Sequence, residues 1–257
     1  MNVKIIFFDV DGTLINYEDG CISSSTKKAI QMLKSNGIRL VAATGRPLSM
    51  CQELRELGID TFITANGAYV KHKDRVIHKT SMTIDVVQTV KSFAHENKQS
   101  LLFFTEGLSM NRIQNSTTLQ AMNETLSLHE FPAIIGEVVT QEIYLMCLYA
   151  DDSTVEKYLQ NFPDLIFKRW HPFIVNVLQQ DVSKSIAIKK VLEYFNIKPS
   201  EAIAFGDGEN DIDMLEQVGF GIAMGNAHET LKSVADFVTK KSYEDGIEFA
   251  LQKLQLI

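Results

Sequence analysis

The 257-residue sequence predicts an α/β fold, a parallel sheet covered by helices and interrupted by an inserted α+β module. Three observations carry this reading. Short apolar runs alternate with helical patterns in the first third and last quarter, an order that implies crossover connections between parallel strands. The stretch between them breaks that alternation. Polar clusters follow directly on three of the apolar runs, at the strand ends where open α/β sheets bind ligands.

Each element has its own justification. Ile5–Phe8 is a continuous apolar run of the kind a strand covered on both faces shows. Ser23 to Ser25 offer N-caps for a helix carrying Ala29, Ile30 and Leu33 inward, and Asn36-Gly37 stops it. Leu40–Ala43 is the next strand. Pro47 opens a helix whose apolar positions Leu48, Cys51, Leu54 and Leu57 recur every three residues, ended by Gly58. Phe62–Ala65 is a third strand, followed by an Asn66-Gly67 turn. Beyond Ser81 come a helix with Ile84, Val87, Val90 and Ala94 on one face and strands near Leu101–Phe104 and Ile143–Tyr149. A polar helix from Ser153 and paired strands at Leu165–Trp170 and Phe173–Leu178 follow. The first pattern then returns: helix Ser183–Phe195, strand Ala202–Phe205, helix Asp211–Val218, strand Gly221–Met224 and a closing helix around Ile247–Leu254. The expected organisation is a discontinuous core of residues 1–80 and 181–257 with an inserted domain at 81–180.

Composition narrows the partners. With 25 Lys+Arg against 32 Asp+Glu, the net charge of −7 argues against nucleic acid or anionic membrane, which both need a cationic footprint. A small anionic substrate remains compatible, because one metal ion or a few local cations reverse the field inside a cleft. The longest apolar run, Ile143 to Ala150, falls well short of the ~18 residues of a membrane span. Val3 to Phe8 is too short for a signal peptide and is interrupted by Asp9. Cys21, Cys51 and Cys147 lie far apart with no CxxC pairing, as expected of reduced thiols in a cytoplasmic protein.

The three strand-end clusters are Asp9-Val10-Asp11-Gly12-Thr13-Leu14, Thr44-Gly45-Arg46 and Gly206-Asp207-Gly208-Glu209-Asn210-Asp211. Parallel pairing would bring them to one crevice. Asp9, Asp207 and, as a further candidate, Asp211 would then crowd carboxylates together, which is costly unless a cation sits among them. Hard oxygen donors without His or Cys favour Mg²⁺ over zinc, and a partly hydrated Mg²⁺ takes a phosphate oxygen readily. Gly12 and Gly45 would let backbone N–H groups approach an oxyanion, and the Thr44 hydroxyl could donate to it. Lys184, at the start of the helix after the insert, could supply a cation on the far side. Asp9 suits a nucleophile toward phosphorus, giving an aspartyl-phosphate. Asp11, two positions on along extended backbone, points the same way and suits a general acid/base.

These segments and Lys184, in this order, resemble the four signature motifs of the haloacid dehalogenase-like (HAD) superfamily, and the insert resembles the large α/β cap of its Cof-type phosphatases. The resemblance spans essentially the whole chain. It implies a Rossmann-like, HAD-like core, Asp9 as nucleophile and Asp11 as acid/base, with Thr44 and Lys184 holding the phosphoryl group. It further implies Mg²⁺ bound by Asp9, the Asp11 backbone carbonyl and Asp207, with Asn210 and Asp211 supporting the phosphate and metal shells. The substrate would be a sugar phosphate or another small phosphorylated metabolite. Ser185 stands where the family commonly has Gly, and Asn176 where many relatives carry an acid.

Other readings of the same residues exist. Arg46 serves either the substrate or a surface carboxylate. Asn66 and Gly67, near the insert's start, and Trp170 and His171, near a turn of the insert, are further candidates for substrate contact. A sugar phosphomutase would use the same Asp pair but return the phosphoryl group to a sugar; the insert's only arginines, Arg112 and Arg169, give little to hold a second phosphate. A non-catalytic phospho-aspartate switch would need neither Asp11 nor the insert.

Overall fold

A computed structural model describes residues 2–257. The chain starts with β1 (Ile5–Asp9), α1 (Ser24–Ser35), β2 (Arg39–Ala43), α2 (Gln52–Glu56), β3 (Thr61–Thr64) and a hairpin of β4 (Tyr69–His72) and β5 (Arg75–Lys79). There follow α3 (Ile84–Glu96), β6 (Ser100–Phe104), β7 (Leu108–Met110), α4 (Ser116–Leu126), β8 (Leu145–Tyr149), α5 (Asp152–Asn161), β9 (Leu165–His171) and β10 (Ile174–Gln179). The last part is α6 (Lys184–Phe195), β11 (Ala202–Gly206), α7 (Ile212–Glu216), β12 (Phe220–Ala223), α8 (Glu229–Val234), β13 (Phe237–Val238) and α9 (Gly246–Lys253). Two compact units result. One holds the residues up to Arg46 with Cys51–Lys79 and Ser183–Ile257; the other holds Pro47–Met50 and Thr80–Val182.

The first unit is built on one eight-stranded sheet ordered β13-β12-β11-β1-β2-β3-β4-β5. Strands β13 through β3 run parallel, and the β4–β5 hairpin adds an antiparallel edge. All five β1 residues are buried, as its unbroken apolar run requires. Ile5, Phe7, Val41, Ala43 and Ile63 pack one face of the sheet against Ala187, Ile188 and Val191 of α6. The chain builds outward from β1 through β2 and β3, then comes back to pair β11 on the other side of β1. This reversal makes the β1–β11 boundary a topological switch point, where strand-end loops separate and leave room for a ligand.

The second unit carries a five-stranded antiparallel sheet ordered β7-β6-β8-β10-β9. Leu101, Phe103, Met146, Leu148 and Val177 form its apolar face with Val87, Val90 and Ala94 of α3 and Tyr158 of α5. Among the described residues of the protein, no helix is long and apolar enough to cross a membrane.

The helix expected from Pro47 through Leu57 is broken in two. Leu48–Met50 forms one 3₁₀ turn, and α2 begins only at Gln52. Cys51, at φ −105° and ψ 19°, lies outside the helical region, and the Ser49 amide donates to the Glu106 carbonyl at 2.7 Å. Tertiary hydrogen bonding thus overrides a helical apolar spacing.

Candidate active site

Asp9 ends β1, and Asp207 follows directly on its neighbour β11, so the switch point itself brings these carboxylates together. Asp211 joins them from the turn that precedes α7. One carboxylate oxygen from each of Asp9, Asp207 and Asp211 lies within 4.8 Å of the others, and all three side chains are buried. Into this group reaches Lys184, only 2 % exposed, with Nζ 2.5 Å from Asp9 Oδ1 and 2.6 Å from Asp211 Oδ1.

Local sequence explains how the lysine gets there. Ser183 caps α6, its hydroxyl accepting from the Ile186 amide at 3.2 Å, which makes Lys184 the first helical residue. A cation is poorly placed at a helix N-terminus, where the backbone dipole is positive. The two aspartates offset this, and Asp213 accepts the Ser185 amide at 3.1 Å. Gly67, at φ 107°, permits the close approach: a Cβ there would collide with the Ser183 carbonyl. Ala65 and Asn66 before it also take left-handed backbone conformations, so the exit of β3 is tightly constrained.

Asp211 is fully engaged. Its Oδ1 accepts from Lys184, and its Oδ2 accepts from the amides of Asp207 and Gly208, both at 3.0 Å. It orders the loop and the lysine, leaving Asp9 and Asp207 as the carboxylates with free lone pairs toward a cation. Asp207 Oδ1 accepts from the Thr13 hydroxyl at 3.1 Å.

The electrostatics follow from three buried acids and one buried base. Burial, then the neighbouring Asp211, push the Asp9 carboxyl well above the usual carboxylate range, with Lys184 only partly opposing. Burial and Asp211 likewise push Asp207 up to about 7. Burial alone would lower the lysine, but Asp211 and Asp9 outweigh it and hold the ammonium charged. With all three acids ionised the cluster carries two uncompensated negative charges. A divalent cation matches both that charge and the hard oxygen donors.

Asp11 lies beside this group in a different setting. Arg46 grips it with a two-pronged fork, Nε to Oδ2 at 3.0 Å and Nη2 to Oδ1 at 2.5 Å. Arg46 thus pairs with a carboxylate of the site itself, Asp11, where the sequence reading offered the substrate or a surface carboxylate. The buried Thr44 accepts the Arg46 amide at Oγ1, 3.0 Å away, which leaves its hydroxyl proton as a donor. Gly45 backs onto Asn66, whose Oδ1 would sit 3.1 Å from any Cβ at position 45.

Two residues sit otherwise than the sequence suggested. The Gly12 amide donates to the Ile15 carbonyl at 2.7 Å, so its N–H is committed to its own loop. What Gly12 supplies is space: at φ 86° it lies where a Cβ would collide with the Asp207 carboxylate and the Tyr17 ring. Asn210 is exposed beside Gly208 and takes no part in the buried cluster. In the second unit, Trp170 is half-exposed and donates its indole N–H to Asn176 Oδ1 at 2.9 Å. His171, at the end of β9, lies 3.6 Å from Glu124.

Two contributors went unread in the sequence. Tyr17 donates its hydroxyl to the Asp11 carbonyl at 2.9 Å. Asn226 ties the first loop to the last, donating to the Gly12 carbonyl at 2.9 Å and accepting the Ser242 amide at 2.8 Å. Asn226 follows β12, another parallel strand, and that position was the available signal. Tyr17 offered none, since it acts on a backbone carbonyl from an irregular loop.

A model of the family described as haloacid dehalogenase-like hydrolase matches residues 6–251. The Bacillus subtilis protein named "Putative phosphatase YkrA" is 35% identical, with 100% of both chains covered. A second Bacillus subtilis protein, 5-amino-6-(5-phospho-D-ribitylamino)uracil phosphatase YcsE, is 29% identical over 98% of this chain and 96% of its own. Among solved structures, the HAD subclass IIB sugar phosphatase BT4131 superposes with a TM-score of 0.85 at 32% identity, covering 99% of this chain and 100% of that one.

Proposed function

The chain belongs to the haloacid dehalogenase-like hydrolases, as one of their phosphatases, and from that footing we propose that it hydrolyses small phosphomonoesters, sugar phosphates or similar metabolites, through an aspartyl-phosphate on Asp9. The observation that carries this reading is Asp9 itself, a buried carboxylate at the switch point, paired with Lys184 and grouped with Asp207 and Asp211. The relatives named for sugar and ribityl phosphates support the substrate class.

Mg²⁺ suits the donor set, held by Asp9, Asp207 and the Asp11 carbonyl. When bound it would neutralise phosphoryl charge and allow a carboxylate to approach the phosphorus. The remaining work belongs to the chain. An Asp9 oxygen attacks phosphorus, and the bond to the ester oxygen breaks as Asp11 gives that oxygen a proton. Lys184 and the Thr44 hydroxyl balance charge on the non-bridging oxygens. Asp11 then takes a proton from water, whose oxygen displaces Asp9 from phosphorus and regenerates the carboxylate. Arg46 engages each Asp11 oxygen through a single N–H, which leaves a lone pair on each for the proton it transfers.

Replacing Asp9 with Asn tests the reading. Phosphate release from a panel of sugar phosphates should fall at least about a thousandfold while the far-ultraviolet circular dichroism is unchanged. Retained turnover would reject the nucleophile. Release of phosphate, rather than formation of an isomeric sugar phosphate, separates hydrolysis from mutase chemistry.

A further inference from the structure

The loop after β1 folds back so that the Tyr17 hydroxyl meets the acidic cluster. It donates to the Asp11 carbonyl oxygen at 2.9 Å, beside the Asp207 carboxylate that Gly12 also faces. That oxygen belongs to the cation ligand set proposed above, on which this inference rests. The ring is 70 % exposed and lies against Gly12, where a Cβ would strike it. The side chain is therefore anchored at its tip and largely bathed in solvent along its body.

We propose that Tyr17 is a built-in competitor of the divalent cation. Its hydroxyl and the cation need the same Asp11 carbonyl oxygen, and a carbonyl oxygen engaged by a phenol is a poorer ligand for a metal. Cation entry requires the ring to swing outward, and its exposure lets it leave without opening a cavity in the core. The energy at stake is one phenolic hydrogen bond, which rescales cation affinity without changing the ligand set. Tyr17 thereby sets how much free cation is needed to load the site.

Isothermal titration of the full-length protein with Mg²⁺, repeated with Mn²⁺, tests this without reference to turnover. Tyr17→Phe, which keeps the ring and loses only the hydroxyl, should bind about three- to tenfold more tightly than wild type. Tyr17→Ala should shift affinity in the same direction, excluding an effect peculiar to phenylalanine. In wild-type protein labelled with 3-fluorotyrosine, the resonance that Tyr17→Phe abolishes should move on addition of cation. Asp207→Asn provides the site control, and its binding should be lost. Unchanged or weaker binding by Tyr17→Phe overturns the competitor role while leaving the phosphatase reading intact. If wild type shows no cation binding that Asp207→Asn removes, the metal assignment falls and this inference falls with it.

Discussion

The two units bury polar groups in opposite ways. In the first, the buried polar set includes Asp9, Asp207, Asp211 and Lys184, all ionisable and gathered beyond the ends of the central strands β1 and β11. In the second, the buried polar residues among those described are neutral: Ser100, Asn111 and Thr118. These satisfy one another and the backbone, Thr118 donating to the Ser100 hydroxyl at 2.9 Å and Asn111 accepting the Leu101 amide at 3.1 Å. Neutral groups closed on themselves specify packing. Charges left partly unbalanced are costly to fold, and their concentration at the switch point marks where the molecule gives up stability for chemistry.

The contrast is broken most severely at Lys184. Lys184→Met leaves Asp9 and Asp211 facing each other without their cation and should cost about 3–5 kcal/mol in denaturant unfolding at neutral pH. A loss below about 1 kcal/mol would mean the acids are already neutral in the folded protein. The next test is pH. Asp207 has its proton affinity raised on folding, so the folded state binds more protons than the unfolded one. The stabilisation from that proton is complete below about pH 4 and is lost as pH rises through about 7. Cation-free protein should therefore lose a few kcal/mol across that interval in urea titrations, and millimolar Mg²⁺ should flatten the decline. A pH-independent stability would show that the cluster is not strained. The smallest effect belongs to the other unit. Among the described residues the Tyr158 hydroxyl is buried without a hydrogen-bond partner, so Tyr158→Phe should be neutral or stabilise by up to about 1 kcal/mol. Destabilisation by that change would reveal a bond to a buried water.

How legible all this was in the sequence depended on burial. Ile5–Phe8, Leu40–Ala43 and Ala202–Phe205 read as strands because both faces of the central sheet are covered. The β4–β5 hairpin escaped notice because Lys71 and His72 in β4, and Arg75 and His78 in the edge strand β5, leave neither strand such an apolar run. Helix α4 was equally hidden: of its four buried residues, Thr118, Ala121, Met122 and Leu126, only the last two are large and apolar. At the site, Asp9, Thr44, Arg46 and Asp207 were readable because each ends or follows a parallel strand. The distinction between Asp211 as ligand and as organiser was not, since it depends on which of its oxygens backbone amides occupy. Gly12 misled for a related reason. A glycine signals freedom of the backbone, and only the fold shows whether that freedom serves an N–H donor or the absence of a Cβ.

The missing side chain at Gly67 reaches further than its size suggests. Any methyl group there would lever the start of α6 outward and carry the ammonium of its first residue off Asp9. A substitution at this uncharged position would present, in a genetic screen, as the loss of a positive charge more than a hundred residues downstream in the sequence.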